Sequence, residues 1–204
     1  MKKNTVITIS RQFGSGGREI GKAIAEKLKI PFYDKEIIAI AAQESGIDEE
    51  LFKKEENRTS RAFYLLGTIS YALGSPITID SGMSINDRMF SIQSSIIQTL
   101  AENESCVIVG RCSDYVLKDY DNVISVFIYA DEKDRITRAS VEYKLAGENM
   151  ADLVHKIDRE RANYYNYYTG EKWGDCERYD LCINSSAFSF ETTVNMIVDL
   201  FHNK

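Results

Sequence analysis

Proline is nearly missing from this chain, with 2 residues in 204 alongside 12 glycines. A long flexible linker needs more of either, so a single domain over residues 1–204, with at most a lid or small insert, is expected. Histidine is equally scarce, and His155 and His202 offer no Ser–His–Asp or Cys–His arrangement. The cysteines, Cys106, Cys112, Cys176 and Cys182, include no CxxC pair, which argues against zinc. Cys106 and Cys182 sit in apolar runs and read as reduced core thiols. No run of about 18 apolar residues is present, so no membrane span is expected. The opening Met1-Lys2-Lys3-Asn4 is followed by too short an apolar stretch for a signal peptide, and the cytoplasm is the expected address. Positive charge is also in deficit: 25 basic residues against 31 acidic give a net −6. That disfavours nucleic acid as a partner and requires any anionic ligand to find a local basic cluster.

What remains is a chain that is 44% hydrophobic and 27% charged, enough to bury a core. Short, nearly continuous apolar runs at residues 6–9, 32–33, 106–109, 124–129 and 181–183 read as strands buried on both faces of a parallel sheet. Between them run helical stripes: Ile20, Ile24, Leu28; Ala62, Leu65, Leu66, Ile69, Leu73; Ile85, Met89, Ile92, Ile96, Leu100; and Phe190, Val194, Ile197, Val198, Phe201. Strands alternating with helices predict an α/β fold. Residues 45–104 form a strandless helical excursion, and residues 143–178 form a second one rich in charge and tyrosine. Such excursions often cover a ligand crevice.

The strongest local signal is Ile9-Ser10-Arg11-Gln12-Phe13-Gly14-Ser15-Gly16-Gly17-Arg18-Glu19-Ile20-Gly21. A strand ends, a glycine-rich turn follows and an amphipathic helix begins. Glycines let the main chain approach a ligand, and the amides at the helix start attract an anion. A phosphate cradle is one reading; a turn that merely packs the helix on the sheet is the other. The phosphate-loop pattern G-x-x-x-x-G-K-[ST] is not met, because no register places a lysine there. Arg18 is the nearest cation, and it grips phosphate as a planar fork. Ser10, Ser15 and Glu19 are the available groups for Mg²⁺, with the metal ligands left open. A dinucleotide reading also stands: Gly14 and Gly16 fit G-x-G-x-x-G, but Glu19 fills its third glycine position. Asp34, 20 residues after Gly14, suits either a ribose contact or a helix N-cap.

Several stretches together resemble the cytidylate-kinase-like branch of the P-loop nucleoside monophosphate kinases. They are the glycine turn, Pro31-Phe32-Tyr33-Asp34, Val107-Ile108-Val109-Gly110-Arg111, the segment from Asp131 to Arg138, Asp158-Arg159-Glu160-Arg161-Ala162-Asn163-Tyr164-Tyr165, and Tyr179-Asp180-Leu181-Cys182-Ile183-Asn184. The resemblance covers nearly the whole chain. It implies the P-loop kinase fold: a five-stranded parallel sheet with helices on both faces, a helical monophosphate-binding arm (about 45–104) and a lid (about 143–178). It implies ATP- and Mg²⁺-dependent phosphoryl transfer to a nucleoside monophosphate, CMP or dCMP first. The alternatives are another small acceptor, or nucleotide binding without catalysis, as a monomer or homodimer.

By this resemblance Arg11, Gly14, Ser15, Gly16, Gly17, Arg18 and Glu19 hold the donor phosphates. Asp34, Gly110, Arg111 and Asp158 meet the acceptor. Arg18, Arg135, Arg138, Arg159 and Arg161 serve the transfer. Cys112 stands where the family's Gly-Arg-Asp stretch has its acid. Arginines suit the chemistry because phosphoryl transfer asks mainly for positioning and charge stabilisation. Arg135 and Arg138, three apart, share one helix face. The competing view is a solvated helix with ordinary salt bridges to Glu132, Asp134, Asp158 and Glu160. The tyrosines at 164, 165, 167 and 168, with Trp173, are expected to pack the lid against the body.

Overall fold

The first strand, β1 (Val6–Arg11), is the central strand of the sheet. The structure, a computed structural model, describes residues 4–34, 85–143 and 149–204. Helix α1 (Gly17–Leu28) follows the glycine turn, then β2 (Phe32–Tyr33). Helix α2 (Ile85–Asn103) leads into β3 (Cys106–Val109) and the single turn α3 (Ser113–Val116). Strand β4 (Val123–Tyr129) and helix α4 (Glu132–Tyr143) come next. Helix α5 (Met150–Thr169), a 3₁₀ turn (Cys176–Arg178), β5 (Leu181–Asn184) and α6 (Phe190–Asn203) complete the order.

The five strands are parallel, in the order β2-β3-β1-β4-β5. β1 aligns Val6 with Cys106 of β3 on one side and with Val123 of β4 on the other. The glycine turn therefore leaves the sheet at its middle, at the carboxyl edge where open parallel sheets bind ligands.

Alternation along β1 sets the two faces. Ile7 and Ile9 join Ile20, Ile24, Val194, Ile197 and Val198 in the principal core, which places α1 and α6 together on one side. Ser10 belongs to the opposite face. Helix α1 is helped by Glu19 in its first turn and Lys27 in its last, both favourable to the helix dipole. It stops at Lys29 in the left-handed conformation (φ 56°), just ahead of Pro31. Asn149 caps α5 by accepting from the Ala151 amide at 3.2 Å, and Ser189 caps α6 by accepting from the Thr192 amide at 3.1 Å.

Contacts divide the chain into two compact units, residues Met1–Asp34 with Ile97–Lys204, and Lys35–Ile96. The candidate site described below lies in the first. The expected helix over the stripe from Ile85 to Leu100 is present, while the stripe from Ala62 to Leu73 and the rest of 45–84 lie outside the described residues. Among the described residues no helix is long and apolar enough to cross a membrane. The four cysteines are free.

Candidate functional site

The turn between β1 and α1 needs its glycines. Gly14 and Gly16 have φ of 75° and 76°, a region costly for other residues. A Cβ on Gly14 would lie 2.5 Å from the Arg135 carbonyl oxygen, and one on Gly17 would lie 2.7 Å from Cβ of Arg11. Ser15 is fully buried, and its hydroxyl donates to the Gln12 carbonyl at 2.8 Å.

The carbonyls of the turn are all engaged from outside or across it. Arg161 donates to the Arg11 carbonyl at 3.1 Å, Arg135 to that of Phe13 at 3.4 Å, and Arg138 to that of Gly14. The Ser185 hydroxyl donates to the Ser15 carbonyl at 2.7 Å, and the Gly16 carbonyl takes the Ile20 amide at 3.0 Å. Carbonyl oxygens repel an anion, so drawing them away into their own bonds leaves the concave side to the amides at the start of α1. Asp158 completes the brace: it accepts the Phe13 amide at 2.7 Å and pairs with Arg135. With side chains 6% and 14% exposed, the Arg135–Asp158 pair is worth little net, but losing one partner strands the other, at a cost of about 3–5 kcal/mol.

A second charge group lies at the end of β2. Asp34, 3% exposed, accepts from Nε of Arg18 at 2.6 Å and faces Arg11 at 3.8 Å. Arg18 also stands 6.0 Å over the Phe32 ring. Around the turn, five guanidiniums (Arg11, Arg18, Arg135, Arg138, Arg161) thus gather against three carboxylates (Glu19, Asp34, Asp158). This is a local positive cluster on a chain whose net charge is −6.

The turn after β3 is strained. Gly110, Arg111 and Cys112 have φ of 76°, 60° and 54° in succession. Each non-glycine residue there costs roughly 1–2 kcal/mol, and such strain is retained mainly at working sites. The Arg11 guanidinium packs where a Gly110 side chain would be. Burial pushes the Cys112 thiol well above its usual range, so it stays protonated and inert.

Behind this turn Asp114, 7% exposed, accepts from the Tyr165 hydroxyl at 2.7 Å and from the Ser10 hydroxyl at 3.2 Å. Burial raises its pKa despite both bonds, and burial beside Asp114 raises those of Tyr165 and Tyr179.

An open cavity of about 220 Å³ adjoins the glycine turn, lined by Ser15, Gly16, Glu19, Ile20, Arg138, Ser185 and Phe190. Ile20 and Phe190 are apolar parts of its lining, to which Gly16 and Arg138 also belong.

The donor-side residues named from sequence, Arg11, Gly14, Ser15, Gly16, Gly17, Arg18 and Glu19, therefore surround one bend. Arg135, Arg138 and Arg161 converge on its carbonyls. Arg159 is exposed, because it lies off the face of α5 that carries Asp158 and Arg161. Asp158 is spent on the turn itself. Trp173 packs edge-on against Phe127 at 5.4 Å, as the packing reading of the lid aromatics expects.

Residues 6–187 match the cytidylate kinase-like family. The chain belongs to that family. Among curated proteins none matches. A solved structure of a protein from Eubacterium ventriosum ATCC 27560 is similar, with 27% identity, TM-score 0.73, and 98% and 100% of the two chains covered. Shikimate kinase from Bacteroides thetaiotaomicron has 15% identity, TM-score 0.53, and 97% and 98% coverage. A gluconokinase from Sinorhizobium meliloti 1021 has 14% identity, TM-score 0.53, and 100% and 94% coverage. The latter two likenesses concern the fold, which is that of the P-loop kinases.

Sequence reasoning missed Gln12, Ser185 and Asp114, and gave Tyr165 only a packing role. Gln12 accepts the Ala130 amide at 3.2 Å through its side chain, tying the turn to the end of β4. A signal existed for Tyr165 alone: Asp158, Arg161 and Tyr165 repeat at helical spacing, so they share one face.

Proposed function

We propose that this protein transfers the γ-phosphoryl group of ATP to a nucleoside monophosphate, with CMP or dCMP the first candidates. One observation carries the reading: every carbonyl from Arg11 to Gly16 is drawn into a bond of its own, so the bend offers amides and arginines to a polyphosphate. The donor enters as its magnesium complex. Magnesium is usually held by one or two carboxylates together with the phosphates, and Glu19 is the carboxylate that lines the cavity. The nucleoside end of ATP lies along Ile20 and Phe190.

The transfer needs two anions held in line and the charge on the moving group neutralised. Arg18, Arg135, Arg138 and Arg161 supply positive charge from three segments, replacing the single lysine of the common loop. One well-placed arginine contributes roughly 10³ in rate, about 4 kcal/mol. Arg111, held on its strained turn at the carboxyl edge, receives the acceptor phosphate. Asp34 orients Arg18 between the two sites.

Cys112, where the family's Gly-Arg-Asp stretch has an acid, favours a second reading, the same transfer to a different small acceptor. A coupled assay of ADP release with a panel of monophosphates and small polyols decides between them. Turnover with CMP or dCMP supports the first reading and turnover with another acceptor the second. Tight ATP binding without turnover on any acceptor overturns both and leaves a nucleotide-binding protein.

A further inference from the structure

Helix α5 presents one face that is tied at three points: to the end of β1, to the turn that follows it and to the short helix α3. Asp158 takes the Phe13 amide at 2.7 Å, Arg161 donates to the Arg11 carbonyl at 3.1 Å, and Tyr165 donates to Asp114 at 2.7 Å. The first two hold the phosphate-binding bend itself. The third touches neither the bend nor the cavity, but it fixes where the helix stands. Asp114 in turn accepts from Ser10, one residue before Arg11 on β1, and sits two residues beyond Cys112, the last residue of the strained turn that carries Arg111. A single buried carboxylate thus joins the central strand, the acceptor-side turn and the helix that braces the donor side.

We infer that Asp114 and Tyr165 form a positioning latch. They set the height of α5 over the bend, so that Asp158 and Arg161 hold its main chain in the anion-binding shape while Arg111 is held in register with it. This rests on the phosphoryl-transfer reading for its consequence in catalysis, though not for the contact itself. A hydroxyl bonded to a buried carboxylate is a short, directional tie, and its loss leaves a poorly compensated charge that packing alone does not replace. Ordinary core packing would stabilise the whole sheet evenly. A latch acts locally on the bend.

The test uses Tyr165→Phe, which removes one oxygen and keeps the ring, with Asp114→Asn as the variant that keeps an acceptor for Tyr165. Hydrogen exchange is followed at the Phe13 amide and at core amides such as Ile7 and Val107, together with kcat and KM for ATP and the best acceptor. In Tyr165→Phe the Phe13 amide is expected to exchange at least tenfold faster with core amides within twofold. kcat should fall at least tenfold and KM for ATP should rise at least threefold, because the bend that slackens is the one that holds the polyphosphate. Asp114→Asn should lie closer to wild type in both readouts. Unchanged exchange at Phe13, or acceleration spread evenly over the sheet, overturns the latch. Faster exchange with an unchanged kcat overturns its positioning role. A wild-type protein without turnover on any acceptor sinks the proposed function instead, and the Phe13 amide alone then decides the latch.

Discussion

Arg18 and Asp34 are joined at 2.6 Å across the gap between the first turn of α1 and the end of β2. The guanidinium assigned to the donor phosphates from sequence is thus tethered by a buried carboxylate that was assigned to the acceptor. Arg11 approaches the same carboxylate at 3.8 Å. The pairing orders a long side chain before any ligand arrives, which lowers the entropy lost on binding.

Removal of that guanidinium should be costly to function and not neutral to the fold, since Asp34, 3% exposed, loses its 2.6 Å partner while Arg11 remains at 3.8 Å. Arg18→Ala is expected to lower ATP affinity or turnover at least tenfold, with the melting temperature lowered by several degrees but the fold retained. Calorimetric titration and the coupled assay measure the two. An unchanged rate and affinity would move the role to Arg11 or to the arginines of α4 and α5.

Two glycines with nearly equal φ separate conformational strain from collision. Gly14 (φ 75°) has the Arg135 carbonyl oxygen 2.5 Å from a would-be Cβ, whereas Gly170 (φ 70°) has open space. Gly170→Ala should cost about 1 kcal/mol, the price of a left-handed alanine. Gly14→Ala should cost about 3 kcal/mol or more and abolish ATP binding, because the bend must also shift. Urea denaturation gives the energies. Equal costs at the two sites would mean that the bend yields freely.

Much of this arrangement was legible beforehand. The runs at 6–9, 106–109 and 181–183 became strands within two residues of those bounds: β1 and β3 are buried on both faces and so nearly continuous in apolar character, while the edge strand β5 carries the same signature although only Ile183 is buried. The glycine turn was equally plain, since a tight bend at a helix start admits few other residues. The braces were not. Arg161 meets Arg11 across 150 positions and Tyr165 meets Asp114 across 51, and hydrophobic spacing carries no record of which polar side chain will find which partner. The spacing put Asp158 and Arg161 on one helix, α5, but did not show that they hold main-chain groups of the turn.

The strained turn after β3 supplies a contrast between stability and function. Arg111→Gly relieves a φ of 60° at a residue whose side chain is assigned to the acceptor. The melting temperature should hold or rise slightly, since the relief of roughly 1–2 kcal/mol opposes glycine's larger entropy loss on folding. KM for the acceptor should rise at least tenfold with KM for ATP within threefold. Equal weakening of both substrates would remove Arg111 from the acceptor side.

The buried carboxylate also makes a statement about pH. Desolvation holds the Asp114 pKa above its ordinary value of 3.8, although Tyr165 and Ser10 donate to it. Of the other groups around it, Glu171 adds a negative charge that pushes the same way and is paired with Arg178 at 2.8 Å, while Tyr179 and Tyr165 are shifted upward and stay neutral well past pH 7. The folded state therefore binds this proton more tightly than the unfolded chain. Its contribution to stability is complete below the unfolded value and is lost as pH rises through the folded one. Asp114→Asn carries no such proton. The difference in unfolding free energy, wild type minus variant, is expected to grow in favour of wild type as pH falls from 7 toward about 4, at no more than about 1.4 kcal/mol per pH unit. Paired denaturant titrations across that range measure it. A difference that stays flat, or shrinks on acidification, would mean that the carboxylate is better solvated than its 7% exposure implies.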